Sequence, residues 1–255
     1  MLMLVFALPE EARALRRRIR WQPRMHANAR ETGSIDGDRR GFLAGHEISL
    51  SFVGIGGAAI DQVERAVELI KPQLIISSGF AGATRSLLEP GDFVLSTNYT
   101  TPDIGQILDR QKFVDASGSF VQVKEVASMS DKWSLNHSAR SIAVDMESEI
   151  IADLCRRKQI SLVTARMISD AIDETIPGIF VGEKVAGLKD LSDAAVFAAR
   201  MLRLTGKLAD RLEALVGTLG STAGTNVPQG LDEGSQAIYR LGCVQKKGDR
   251  PGGTV

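Results

Sequence analysis

Residues 2 to 8 form an apolar run with no polar position, which predicts a short buried strand. Pro9 follows, and a proline is tolerated at the first helical position because its missing N–H would be unbonded there anyway. A helix is therefore expected from Pro9, with Glu10 and Glu11 in its first turn, where acids suit the helix dipole. Ala12, Ala14, Leu15 and Ile19 would face inward and the Arg13–Arg20 run outward. Residues 48 to 53 read as the next strand, ending at Gly54. From residue 58 to 70 the apolar positions Ile60, Val63, Val67 and Ile70 recur at helical spacing, and Lys71-Pro72 stops the helix.

Residues 74 to 78 read as a strand and residues 79 to 83 as turn-rich. Glu89-Pro90-Gly91-Asp92 predicts a tight turn before a strand over 93 to 97. Residues 98 to 120 are rich in turn formers and are expected to loop, and a strand is placed over 121 to 127. Residues 141 to 144 predict a short strand leading into a helix from 146 to 158, and residues 162 to 168 another buried strand, ending at Ser169-Asp170. Ser192 is the expected cap of a long helix with Ala195, Ala199, Leu202 and Leu204 near one face. Trp133 and His137 lie in a polar segment and receive no role.

Strands alternating with helices imply a single three-layer α/β domain, with a mainly parallel, twisted central sheet flanked by helices. The domain is placed over residues 1 to 218, and residues 219 to 255, where periodicity is lost, are expected to form a disordered tail. In such sheets ligands bind beyond the carboxyl ends of the strands. Attention therefore falls on the residues just after each strand.

Composition narrows the classes. With 31 basic and 31 acidic residues the net charge is zero, which argues against nucleic acid held on a basic face. No apolar run is long enough to span a membrane. Two distant cysteines, Cys155 and Cys243, exclude a disulfide framework or a Cys-based zinc site and fit the cytoplasm. Three scattered histidines argue against a metal site, and no cofactor is implied.

Gly54-Ile55-Gly56-Gly57-Ala58-Ala59 matches G-x-G-x-x-A. A dinucleotide turn also needs an acid at the end of the next strand, and Ser77-Ser78-Gly79 offers none. A plain tight turn, or a turn lining some other nucleoside-type ligand, remains. The small residues Ser78, Gly79 and their neighbours can hold an anion, a water or a sugar hydroxyl, or simply turn the chain. Asp145-Met146-Glu147 stands where a strand becomes a helix. It reads either as helix capping or, for Glu147, as an acceptor for ligand hydroxyls. Glu11, Glu147 and Asp170 together would make a three-carboxylate pocket, suited to breaking a glycosidic bond. Arg166, within an apolar strand, is read as a buried guanidinium bridging those carboxylates.

Five segments in order resemble the nucleoside phosphorylase superfamily of the purine and uridine type, and within it the methylthioadenosine/S-adenosylhomocysteine nucleosidases. They are Ala7-Leu8-Pro9-Glu10-Glu11, Gly54-Ile55-Gly56, Ser78-Gly79-Phe80-Ala81-Gly82-Ala83 with Pro90-Gly91-Asp92, Ala143-Val144-Asp145-Met146-Glu147-Ser148, and Arg166-Met167-Ile168-Ser169-Asp170. The resemblance implies that Asp170, held by Ser169, protonates purine N7. It implies that Glu147 binds the ribose hydroxyls with Met146 packed on the sugar. It further implies that Glu11 activates the attacking water, that Arg166 ties Glu11 to Glu147, and that Gly56, Ser78, Gly79 and Phe80 line the site. A homo-oligomer is implied as well.

The expected reaction is hydrolysis of the N-ribosidic bond of a purine, adenine foremost, with release of the free base. Phosphorolysis is the alternative, with phosphate as co-substrate. Phe80 stands where the family has a serine that helps bind phosphate, which favours water, although Arg85, Arg39 or Arg40 could supply charge. The stretch between Thr97 and Ala143 is shorter than in the methylthioadenosine enzymes, and Phe120 is the candidate for stacking on the base. A shortened lid would also admit a lipid-linked nucleoside such as adenosylhopane. A non-catalytic nucleoside-binding protein on the same fold is a reading of a different class.

Overall fold

A computed structural model describes residues 1–23, 40–178 and 188–223. Its strands are β1 (Leu2–Phe6), β2 (Arg20–Trp21), β3 (Arg40–Leu43), β4 (His46–Phe52), β5 (Leu74–Ala83), β6 (Phe93–Ser96), β7 (Ala116–Gly118), β8 (Phe120–Gln122), β9 (Ala143–Asp145) and β10 (Ser161–Asp170). Its helices are α1 (Arg13–Arg16), α2 (Ile60–Ile70), α3 (Pro102–Asp109), α4 (Met129–Ala139), α5 (Ser148–Lys158) and α6 (Leu188–Ala223). The sheet runs β2-β3-β4-β1-β5-β10-β6-β7, with β9 beside both β5 and β8. Its centre, β4-β1-β5-β10, is parallel, and antiparallel pairs lie to either side.

Every residue of β1 is buried, as expected of a parallel strand covered on both faces. On one face Leu2, Leu4, Ile48, Ile76, Val163 and Met167 pack against Leu15 of α1 and Leu204, Leu208, Leu212 and Leu215 of α6. On the other, Met3, Val5, Ile75 and Leu162 pack against Val63 and Val67 of α2 and Ile151, Leu154 and Cys155 of α5. A third cluster joins Ala81, Ala83, Phe120, Ile142 and Ile168 where β5, β8, β9 and β10 meet.

Several sequence expectations need correction. No helix begins at Pro9. The chain makes a turn in which Glu11 N–H bonds the Leu8 carbonyl at 3.2 Å and Leu8 N–H returns to the Glu11 carboxylate at 3.0 Å, so α1 starts only at Arg13. The turn-rich residues after Ser78 continue β5, because β10 pairs along its length and β9 joins its end. Residues 98–120 contain α3 and β7, and the strand placed over 121–127 ends at Gln122. The expected helix from 146 starts at Ser148. Ser192 lies inside α6, whose buried positions are Ala194, Leu204, Leu208, Ala209, Leu212, Leu215, Val216 and Leu219, while Ala195, Ala199 and Leu202 face solvent. The sequence beyond Ala223, with most of the expected tail, and Arg39 lie outside the described residues.

Candidate active site

The carboxyl end of β5 carries the candidate site. Gly79 has φ +148°, and a Cβ there would lie 2.7 Å from Glu11 Oε1. The glycine therefore permits both an unusual backbone and the close approach of the Glu11 side chain. Glu11 is held by two backbone donors, Leu8 N–H at 3.0 Å and Phe80 N–H at 3.3 Å. Burial pushes its pKa up to about 7, against the lowering effect of the Leu8 N–H and the Arg166 charge; the charge of Glu147 adds to the rise.

Three residues further along β5, Gly82 leaves space for a second acid. A Cβ there would lie 3.0 Å from Asp170 Oδ2. At about 3.3 Å per strand residue, Gly79 and Gly82, the glycines beside Glu11 and Asp170, lie roughly 10 Å apart along the strand. Asp170 is buried at the end of β10, whose register with β5 shifts between Ile168 and Asp170. Such irregularities re-aim side chains. Here Ser169 Oγ hydrogen-bonds Asp170 Oδ1 and also lies 3.2 Å from the Ala81 carbonyl.

Glu147 precedes α5 without capping it. Asp145 does that work, its Oδ1 accepting the Ser148 N–H at 3.2 Å. Glu147 Oε1 instead accepts Gly56 N–H at 2.9 Å, across from the turn after β4. Gly56 adopts φ +60°, so it presents that N–H from a left-handed conformation. A carboxylate thus occupies the donor that a dinucleotide pyrophosphate would need. Burial raises the pKa of Glu147, opposed by the Gly56 N–H and the Arg166 charge. Met146 is half-buried beside it.

Arg166 is buried, but it does not tie Glu11 to Glu147. Its Nη2 lies 2.8 Å from Asp145 Oδ2, 3.0 Å from Ser77 Oγ and 3.1 Å from Ser148 Oγ. It acts on Glu11 and Glu147 only through its field. Strand alternation explains the arrangement. Ser77 and Arg166 face α5, whereas Ser78 falls on the same face as Ile76, and its buried hydroxyl has no partner among the described residues.

The residue that sequence reasoning missed is Lys132. It is the buried residue of α4, and its Nζ bonds Asp170 Oδ2 and the carbonyls of Ala171 at 2.8 Å and Glu174 at 2.7 Å. α4 lacks an apolar period, but its start was marked. Ser128 and Asp131 form a capping box, an S-x-x-D signature visible in the sequence. Phe120 packs in the interior cluster of β8 and β9 rather than opening onto a ligand space. Arg85 is exposed, and Arg40 is exposed on β3, 3.8 Å from Glu47. Among the described residues no His, Cys, Asp and Glu group has an arrangement that would hold a metal ion.

The profile of the phosphorylase superfamily matches residues 2–127. The 5'-methylthioadenosine/S-adenosylhomocysteine nucleosidase of Bacillus cereus strain B4264 is 26% identical over 202 residues, covering 66% of this chain and 84% of that protein. The solved S-adenosylhomocysteine nucleosidase of Streptococcus pyogenes, in complex with 5-methylthiotubericidin, has a TM-score of 0.63 at 19% identity, covering 86% of this chain and 96% of that one. The 5'-methylthioadenosine/S-adenosylhomocysteine nucleosidase of S. pneumoniae, with a transition-state inhibitor, has a TM-score of 0.64 at 16% identity, covering 86% and 99%.

Proposed function

We propose that this chain hydrolyses the N-ribosidic bond of an adenine nucleoside such as a 5'-substituted adenosine. The reading is supported by the match of residues 2–127 to the phosphorylase superfamily and by the likeness to methylthioadenosine/S-adenosylhomocysteine nucleosidases in sequence and fold. In this reading Asp170 protonates purine N7 as the C1'–N9 electron pair leaves with the base. Glu11 takes a proton from the water whose oxygen bonds C1'. Glu147 accepts the ribose hydroxyls, and Met146 packs on the sugar. The ribose passes through an oxocarbenium-like state, which nearby negative charge and strengthening hydroxyl hydrogen bonds stabilise.

The observation that carries the choice of water is the seat of Glu11. Its carboxylate takes the Phe80 and Leu8 N–H groups, so neither is open to a phosphate. A carboxylate titrating near 7 is matched to removing a proton from water. The two buried cations of the region are each committed to a carboxylate, Arg166 to Asp145 and Lys132 to Asp170.

The test is base release from adenosine, methylthioadenosine, S-adenosylhomocysteine and inosine, with and without phosphate. Equal adenine release in both conditions supports hydrolysis, and release that needs phosphate would establish phosphorolysis. With this function we infer a homo-oligomer in the cytoplasm, the oligomer being measured by light scattering. No helix among the described residues is long and apolar enough to cross a membrane.

A further inference from the structure

We propose that Lys132 is a positioning residue that equips Asp170 to protonate the leaving base. The inference rests on the nucleosidase reading above, and it adds a residue from a segment outside the five motifs. An ammonium has three N–H donors, and each of those of Lys132 has an acceptor: Asp170 Oδ2, the Ala171 carbonyl and the Glu174 carbonyl. The side chain is therefore fixed in place, 1% exposed, on a helix that is otherwise largely at the surface.

The Ser169 hydroxyl can serve the Asp170 carboxyl as donor or as acceptor without the carboxyl moving. Ser169 has one hydroxyl hydrogen and two neighbours, Asp170 Oδ1 and the Ala81 carbonyl at 3.2 Å. When Asp170 is ionised, Ser169 donates to it. When Oδ1 carries a proton, Ser169 accepts that proton's hydrogen bond and turns its own hydrogen to Ala81. Lys132 stays on Oδ2 throughout.

A tie between α4 and β10 alone would not require two buried charges. Burying an ion pair is costly, and an apolar pair of similar volume often serves stability as well or better. Here the backbone itself makes room for the pair. A Cβ at Gly82 would lie 3.0 Å from Asp170 Oδ2 and 3.2 Å from Lys132 Cε. The neighbouring charged group is Glu174, which is already held by Arg200 at 2.7 Å and by Ala171 N–H at 3.0 Å.

During cleavage the Asp170 O–H bond breaks and the N7–H bond forms. The C1'–N9 pair goes to the base, the water oxygen bonds C1', and the water's proton goes to Glu11. Asp170 is left as a carboxylate, and the Lys132 ammonium is the charge that faces it. Asp170 then regains a proton from solvent. Lys132 thus contributes at the moment the leaving group needs a proton.

The test compares Lys132→Met, Asp170→Asn and the double variant on methylthioadenosine and on p-nitrophenyl ribofuranoside, whose phenolate leaves without a proton. Each single variant should lower adenine release by about 10²-fold or more, and the double should be no slower than Asp170→Asn. On the nitrophenyl riboside the Lys132→Met loss should be at least about tenfold smaller than on methylthioadenosine. Lys132→Arg should recover part of the adenine release. Equal losses of Lys132→Met on both substrates, or losses that multiply in the double variant, would show that Lys132 only holds α4 and overturn the proposal. So would a Lys132→Met enzyme as active as wild type. If Lys132→Met does not fold, the double variant, which removes both charges together, still decides through its rate against Asp170→Asn. Wild-type adenine release by Asp170→Asn would sink the acid role of Asp170 and the proposal with it, whereas no adenine release by the wild-type protein would sink the nucleosidase reading itself.

Discussion

Arg166 Nη2 lies 2.8 Å from Asp145 Oδ2, and both side chains are sealed from solvent between β10 and the start of α5. Ser77 and Ser148 complete the cradle around the guanidinium. This pair fixes the turn that carries Glu147. Removing one partner of a buried ion pair strands the other, at a cost of about 3–5 kcal/mol. Arg166→Met should therefore lower unfolding stability by that amount, read from urea denaturation. Lysine is not a conservative replacement, because it cannot reach Asp145 and both serines from one planar group.

Gly79 is the second point of fine control. Gly79→Ala would force a side chain into a conformation with φ +148° and set a Cβ 2.7 Å from Glu11 Oε1. The carboxylate must move away, and a displacement near 1 Å of a catalytic group costs about 10²-fold in rate. Steady-state kinetics of Gly79→Ala should show a fall in kcat of that order with KM much less affected.

Glu11 ties activity and stability to pH with opposite signs. In its proposed role as base Glu11 works only when ionised, so kcat/KM should rise with pH through about 7. Its folded pKa is raised from 4.5, so the folded state binds the Glu11 proton more tightly than the unfolded chain does. That contribution to stability is complete below about 4.5 and is lost as pH rises through about 7. Glu11→Gln removes the penalty of the buried charge. It should abolish base release while raising stability at pH 8 by on the order of 1–3 kcal/mol, with no gain at pH 4.5. Thermal denaturation of both proteins at the two pH values checks the sign.

The parallel strands were legible because strands covered on both faces are largely apolar, β1 being wholly so. The positions of Glu11, Glu147 and Asp170 followed from the rule that ligands gather beyond strand ends. The continuation of β5 was not legible. Ser-Gly-Phe-Ala-Gly reads as a turn, yet its glycines serve to admit Glu11 and Asp170 beside a paired strand. The partner of Arg166 was misassigned because four acids lay within plausible reach, and only the strand faces select Asp145. Lys132 escaped because α4 buries a single charged residue and so shows no apolar stripe. The S-x-x-D capping signature at Ser128 and Asp131 could have located the helix, but not the side chain that turns inward.

The most direct measurement is adenine release from methylthioadenosine by the wild-type chain and by Asp170→Asn, without phosphate, with folding of both checked by circular dichroism. The amide keeps the shape of Asp170 but cannot give up a carboxyl proton. Release by the wild type and a fall of about 10²–10⁴-fold in the variant are the predicted result. A variant that releases adenine at close to the wild-type rate would contradict it.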